Sequence, residues 1–137
     1  MADTQASEAK AWMVKAWRDL ETARRAATGT PPFYDTAVYH FQQSAEKAVK
    51  AFLVFHNRPY EKTHDIEVLI DLASEVDQEF NQLVDAADAL TPYATRFRYP
   101  NATFAVEPQP SEYHEAEQYA QAIYDFVLKR LPNESKP

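Results

Sequence analysis

Three short stretches of this chain carry side chains suited to holding phosphate or moving protons. The densest is Gln42, Gln43, Glu46, Lys47 and Lys50. Gln43, Lys47 and Lys50 recur at intervals of four and three, which sets them on one side of a helix. Glu46 precedes Lys50 by four residues and can pair with it. Read as a ligand face, this stretch offers two ammonium groups to phosphate. Read as a solvated face, it holds one ion pair that adds only about 0.2–0.5 kcal/mol to the helix.

The second stretch is Arg58-Pro59-Tyr60-Glu61-Lys62-Thr63-His64-Asp65. An imidazole titrates near neutrality and can serve as general acid or base. A guanidinium offers phosphate a planar fork of donors. Arg58 and His64 together would make a minimal ribonuclease, one stabilising charge while the other moves a proton. The structural alternative is that His64 only fixes the turn by hydrogen bonds. The third stretch, Arg96-Phe97-Arg98-Tyr99-Pro100, can clamp phosphate with two arginines and stack a base on Tyr99. Arg96 and Arg98 can equally pair with the acidic block before them, since eight acids and no basic residue lie between Asp65 and Thr95.

Metal and cofactor chemistry finds little footing. Glu61-x-x-His64 and His114-x-x-Glu117 are solitary pairs, whereas a helical di-iron site needs the motif twice. There is no cysteine, which excludes thiol chemistry, and a single glycine, Gly29, which excludes glycine-rich phosphate loops. We expect neither metal nor cofactor.

The elements that must position these residues all read as helices. Met13, Ala16, Trp17, Leu20, Ala23 and Ala27 form an apolar stripe that Gly29, Pro31 and Pro32 end. Ala37, Phe41, Ala45, Ala48, Phe52 and Phe55 form the next, stopping before Pro59. Thr63 is the expected cap of a third helix with Ile66, Leu69, Ile70, Ala73 and Val76 inward. A fourth carries Phe80, Leu83, Val84, Ala87 and Leu90, kinks at Thr91-Pro92, and can extend to Phe97. Residues 99–110 read as a loop, and a last helix runs from Ser111 to Leu131 with Ala116, Ala120, Ile123 and Val127 inward. The expected fold is all-α: an up-and-down bundle of about five helices in one domain over 1–137, with an ordered core about 8–131.

Bulk properties agree. A chain of 137 residues with 45% hydrophobic and 26% charged residues makes one ordinary globular domain. The net charge of −7 argues against broad duplex-DNA binding, though not against one local basic site. The opening MADTQASEAK has no apolar run, and the longest apolar stretch, Ala51 to Phe55, is too short for a bilayer. A cytoplasmic location without membrane contact is therefore expected.

Three segments together carry a family resemblance. Tyr39-His40-Phe41-Gln42-Gln43-Ser44-Ala45-Glu46-Lys47-Ala48-Val49-Lys50-Ala51, then Lys62-Thr63-His64-Asp65-Ile66, then Arg98-Tyr99-Pro100 resemble the HEPN family in that order. The resemblance extends from Trp17-Arg18-Asp19-Leu20 through the last helix. It implies a helical bundle that commonly forms a homodimer and is often encoded beside a minimal nucleotidyltransferase. Many members are metal-independent RNA endonucleases acting as toxins, with four to six residues between an Arg and a following His. Arg58 and His64 fit that count, but Pro59 sets Arg58 in a loop, and Arg96 and Arg98 have no histidine at the right distance downstream.

The expectation is thus a non-catalytic or weakly catalytic module that dimerises and binds a nucleotide, RNA or a nucleotidyltransferase partner in a toxin–antitoxin-like system. Lys47, Lys50, His64, Arg96, Arg98 and Tyr99 are its contacts. Two alternatives stand beside it: an endoribonuclease using His64 with Arg58 or a partner-chain arginine, and a purely structural dimerisation module.

Overall fold

The computed structural model describes residues 2–60, 62–100 and 107–137. Glu61 of the Glu61–His64 pair and residues 101–106 of the expected loop lie outside the described residues. Five α-helices run in order: α1 (Ala2–Ala26), α2 (Tyr34–Phe55), α3 (Ile66–Ser74), α4 (Val84–Leu90) and α5 (Pro110–Leu128). No strand occurs among the described residues, so the all-α bundle is as expected. No described helix is long and apolar enough to cross a membrane.

The middle of the bundle is α2, in which 14 of 22 residues are buried. Its apolar stripe of Ala37, Phe41, Ala45, Ala48 and Phe52 is sealed from solvent, and α1, α3, α4 and α5 all pack on it. Helix α1 returns antiparallel along α2, with Met13, Ala16, Leu20 and Ala23 inward. Alanines at this seam let the backbones approach, and the Ser44 hydroxyl donates to the Ala16 carbonyl at 2.8 Å. Burying each large side chain such as Phe41 or Leu20 contributes about 1.5–3 kcal/mol. Trp17 departs from its expected inward position and is 47% exposed.

Helix ends are set locally. Asn57 adopts the left-handed conformation, φ 54°, and the Arg58 N–H reaches the Leu53 carbonyl at 2.8 Å. That motif satisfies carbonyls at the end of α2 before proline intervenes. Thr63 is not the cap of α3. Asp65 is, accepting from the Glu67 N–H at 3.0 Å, while the Thr63 hydroxyl accepts from the Asp65 N–H one step earlier. A carboxylate two residues before that N–H reaches it directly, and its charge suits the helix N-terminus.

The expected fourth helix breaks into three pieces. Residues Gln78–Leu83 form a 3₁₀ turn, α4 follows, and Thr91–Ala94 form a second 3₁₀ turn around Pro92. Phe80 and Leu83, one 3₁₀ turn apart, both reach the core. Arg130 bonds both Asp77 and Glu79 and fastens this turn to the end of α5. The last helix buries Ala116, Ala120, Ile123 and Val127 as expected. Packing reaches past residue 131, because the Ser135 hydroxyl donates to the Ala6 carbonyl at 2.9 Å.

Candidate functional site

Two buried carboxylates organise the polar side chains along the α1–α2 seam. The first is Asp19, on the inward side of α1. Its Oδ1 accepts from His40 Nδ1 at 2.9 Å and its Oδ2 from Lys47 Nζ at 2.5 Å. The bond to Nδ1 fixes the ring and leaves Nε2 as the nitrogen free to meet a ligand.

The second is Glu46, whose side chain is only 5% exposed. Its Oε2 accepts from Lys50 Nζ at 3.0 Å, and its Oε1 from His64 Nδ1 at 2.8 Å and Gln42 Nε2 at 3.3 Å. Gln42 Nε2 also donates to the His64 backbone carbonyl at 3.0 Å, and Gln43 Nε2 donates to the side-chain Oε1 of Gln42 at 2.7 Å. Lys50 Nζ lies 5.7 Å from the Trp12 ring centre and 5.4 Å from that of Tyr60, close enough for cation–π attraction. Burial raises the pKa of Tyr60, and the charges of Glu8 and Glu46 push the same way. The Glu46–Lys50 spacing was legible as an ion pair, but its solvated face is in fact interior. Every buried polar atom here has a partner, as interior polar groups require.

The arginine turn meets the other end of α2. After the Pro92 turn, Phe97 takes φ 70°, the left-handed region that costs a side-chain-bearing residue about 1–2 kcal/mol. The reversal returns Arg98 to the start of α2, where its guanidinium sits 4.2 Å from the Tyr39 ring centre. Arg98 also approaches the Tyr99 ring at 5.7 Å, and Arg96 covers Phe97 at 4.7 Å. Neither arginine pairs with the acidic third helix, the structural alternative raised by the sequence, among the described residues. Asp35, Thr36, Tyr39, His40, Phe97 and Arg98 line an open pocket of about 270 Å³. Asp35 Oδ1 in its wall accepts from the Thr36 N–H at 2.8 Å. Further along the seam, Ala11, Trp12, Lys15 and Lys47 line a shallower cavity of about 470 Å³.

The expected site residues therefore divide into groups. Lys47 and Lys50 do not present bare ammonium groups, since each faces a buried carboxylate. His64 is 69% exposed at its side chain and is aimed by Glu46. Arg98 joins His40 and Tyr39 in the pocket, whereas Tyr99 is 65% exposed and does not line it. Arg58 bears on His56, whose pKa is lowered by burial first and by the Arg58 charge second, and no side-chain hydrogen bond joins it to His64 among the described residues. Among the described residues, no group of three His, Asp or Glu side chains is placed to hold a metal ion. Sequence reasoning left out Asp19, His40 and Tyr39 as site residues. Asp19 did leave a trace, because it follows Ala16 by three and precedes Ala23 by four, the spacing of the buried stripe.

A buried carboxylate steering an imidazole, twice over, and an arginine stacked on tyrosine suit the binding of an anion bearing a ring. Comparison with known proteins identifies the family. A family model described as the HEPN domain matches residues 9–131. The crystal structure of an archaeal HEPN homologue superposes with a TM-score of 0.72 at 27% identity, covering 90% of this chain and 98% of that one. The crystal structure of a protein from Thermus thermophilus gives 0.76 at 28% identity, covering 91% and 99%. No curated protein matches. With the family model spanning nearly all of its helices, the chain belongs to the HEPN domain family.

Proposed function

We propose that the protein is a non-catalytic HEPN module that acts as a homodimer and binds a nucleotide or RNA, alone or with a minimal nucleotidyltransferase partner. The observation that carries this is the pocket in which Arg98, stacked on Tyr39, faces the Asp19-held His40. The guanidinium edge supplies donors to phosphate, and Tyr39 and the exposed Tyr99 supply ring faces for a base. At about 270 Å³ the pocket lies below the usual range for a complete small-molecule site, so it suits a phosphate with part of its ribose. The rest of the ligand would follow the seam toward Lys47, about 12 Å along α2 from Tyr39 at 1.5 Å per residue.

Titration with ATP and with a short single-stranded RNA at low salt tests this. Binding is expected to weaken as salt rises, and Arg98→Ala to lower affinity by about tenfold or more, the loss expected for a charge-assisted phosphate contact. A protein that neither ligand perturbs at low salt lacks the proposed site.

One observation favours a second reading, a metal-independent endoribonuclease. A buried carboxylate holds His64 Nδ1 and turns the ring outward, as a general base requires. In this reading the phosphate-stabilising arginine is Arg58 or an arginine of a partner chain. RNA cleavage that survives chelator and vanishes in His64→Ala is the expected signature. Cleavage undiminished in that variant removes His64 from the chemistry.

A further inference from the structure

The Arg98 pocket holds a carboxylate as well as a cation, and that combination narrows what it can accept. Asp35 and Thr36 lie in the first turn of α2, one helical turn before Tyr39 and His40 respectively. Side chains four apart on a helix stand about 5–6 Å from one another at their Cβ atoms, so these residues form two adjacent rows along the pocket. Arg98 covers Tyr39, its guanidinium 4.2 Å from the ring centre, and the Asp19-held His40 lies in the next row. Asp35 therefore sits one turn away from the groups suited to phosphate, in the same pocket.

Asp35 is half-buried, and among the described residues its one hydrogen bond is the one Oδ1 accepts from the Thr36 N–H at 2.8 Å. No ion pair joins it to Arg98 or to another cation among those residues. Its charge suits a helix N-terminus, which explains an acid in the first turn of α2 but not its place in a pocket wall. A carboxylate repels phosphate, so a bare inorganic polyphosphate gains from Arg98 and loses to Asp35. A ligand that satisfies both needs an anionic group at one end and hydrogen-bond donors about one helical turn away. A nucleotide has that form, because its 5′-phosphate is followed by the ribose hydroxyls, and a carboxylate accepts from a ribose 2′-hydroxyl in dinucleotide sites. At about 270 Å³ the pocket has room for phosphate and sugar, so selection falls on the sugar.

We infer that Asp35 is the specificity-determining residue of this pocket. Its carboxylate accepts from the ribose hydroxyls while Arg98 holds the phosphate, which selects ribonucleotides over deoxyribonucleotides and over inorganic polyphosphate. This role rests on the nucleotide reading proposed above and assigns the sugar to a residue within it.

Calorimetric titration of the full chain at low salt with ATP, dATP and inorganic triphosphate is the test. ATP is expected to bind about tenfold more tightly than dATP, the worth of one hydroxyl bonded to a charged acceptor. Asp35→Asn keeps an oxygen for the Thr36 N–H and removes the charge. It should weaken ATP about tenfold and bring ATP and dATP within about twofold of each other. The same variant should bind triphosphate about threefold more tightly or better, because the repulsion is gone. An acid that serves only the start of α2 would leave both the ATP-to-dATP ratio and the triphosphate affinity unmoved. Arg98→Ala should weaken all three ligands, which ties them to one pocket. A wild-type chain that does not tell ATP from dATP overturns the role of Asp35 while leaving nucleotide binding standing, and this comparison needs no variant. An ATP-to-dATP ratio unchanged in Asp35→Asn overturns it in the same way. A chain that binds neither nucleotide overturns both.

Discussion

Glu46→Ala is expected to cost about 3–5 kcal/mol of folding stability, the range for breaking a buried ion pair from one side. Glu46 is a carboxylate with only 5% of its side chain exposed, and it satisfies three donors at once: Lys50, His64 and Gln42. Removing it leaves the Lys50 ammonium enclosed by Trp12 and Tyr60 with no counter-charge. A domain of this size has roughly 5–15 kcal/mol in total, so the variant should approach the edge of folding. Urea unfolding, with the midpoint and slope fitted together, reads the loss. The double substitution Glu46→Leu with Lys50→Met should be far less damaging than the sum of the separate changes, because it removes both charges and fills the space. A loss below about 1 kcal/mol for Glu46→Ala would place the pair in the class of exposed ion pairs and remove the basis for a built site.

How much of this is legible in the sequence differs by the range of the interaction. The five-helix architecture and most of the core come from apolar spacing within single segments, and Ala116, Ala120, Ile123 and Val127 are buried as that spacing requires. Family membership is readable too, from the Gln-Gln-Ser-Ala-Glu-Lys stretch, Thr-His-Asp and Arg-Tyr-Pro in series. Local spacing also finds Glu46 with Lys50. It does not show that the pair is enclosed, because enclosure comes from Trp12 and Tyr60 on other segments. His64 meets Glu46 across 18 residues, and Arg98 meets Tyr39 across 59, joins set by tertiary packing. The left-handed Phe97 that returns Arg98 to α2 has no marker in its residue type, since such positions favour glycine or asparagine. Trp17 escapes the pattern because helical spacing gives a phase and not the width of the buried face. The turn at Gln78–Leu83 escapes it for a similar reason, since intervals of three fit both helix types.

Phe80→Ala is expected to be as destabilising as the loss of Glu46, about 3–5 kcal/mol, for an unrelated physical reason. The Phe80 ring is sealed from solvent and lies 4.5 Å from Phe52 of α2 and 4.9 Å from Phe126 of α5, centre to centre. Truncation removes both aromatic contacts and opens a void that the tight 3₁₀ turn, tied to Arg130 through Asp77 and Glu79, cannot collapse to fill. This cluster sits toward the C-terminal ends of α2 and α5, whereas Tyr39, His40 and Arg98 gather at the N-terminal end of α2. The two losses should therefore differ in their effect on ligand binding. Under conditions where Phe80→Ala remains folded, its affinity for ATP or short RNA should stay within about twofold of wild type, because no side chain of the pocket touches the cavity. Isothermal titration below the unfolding transition measures this, with circular dichroism confirming the folded fraction. A fall in affinity beyond what that fraction explains would mean that the pocket is not assembled locally by Asp19, the start of α2 and the Phe97 reversal. The site would then have to be sought in the packing of α2 against α5.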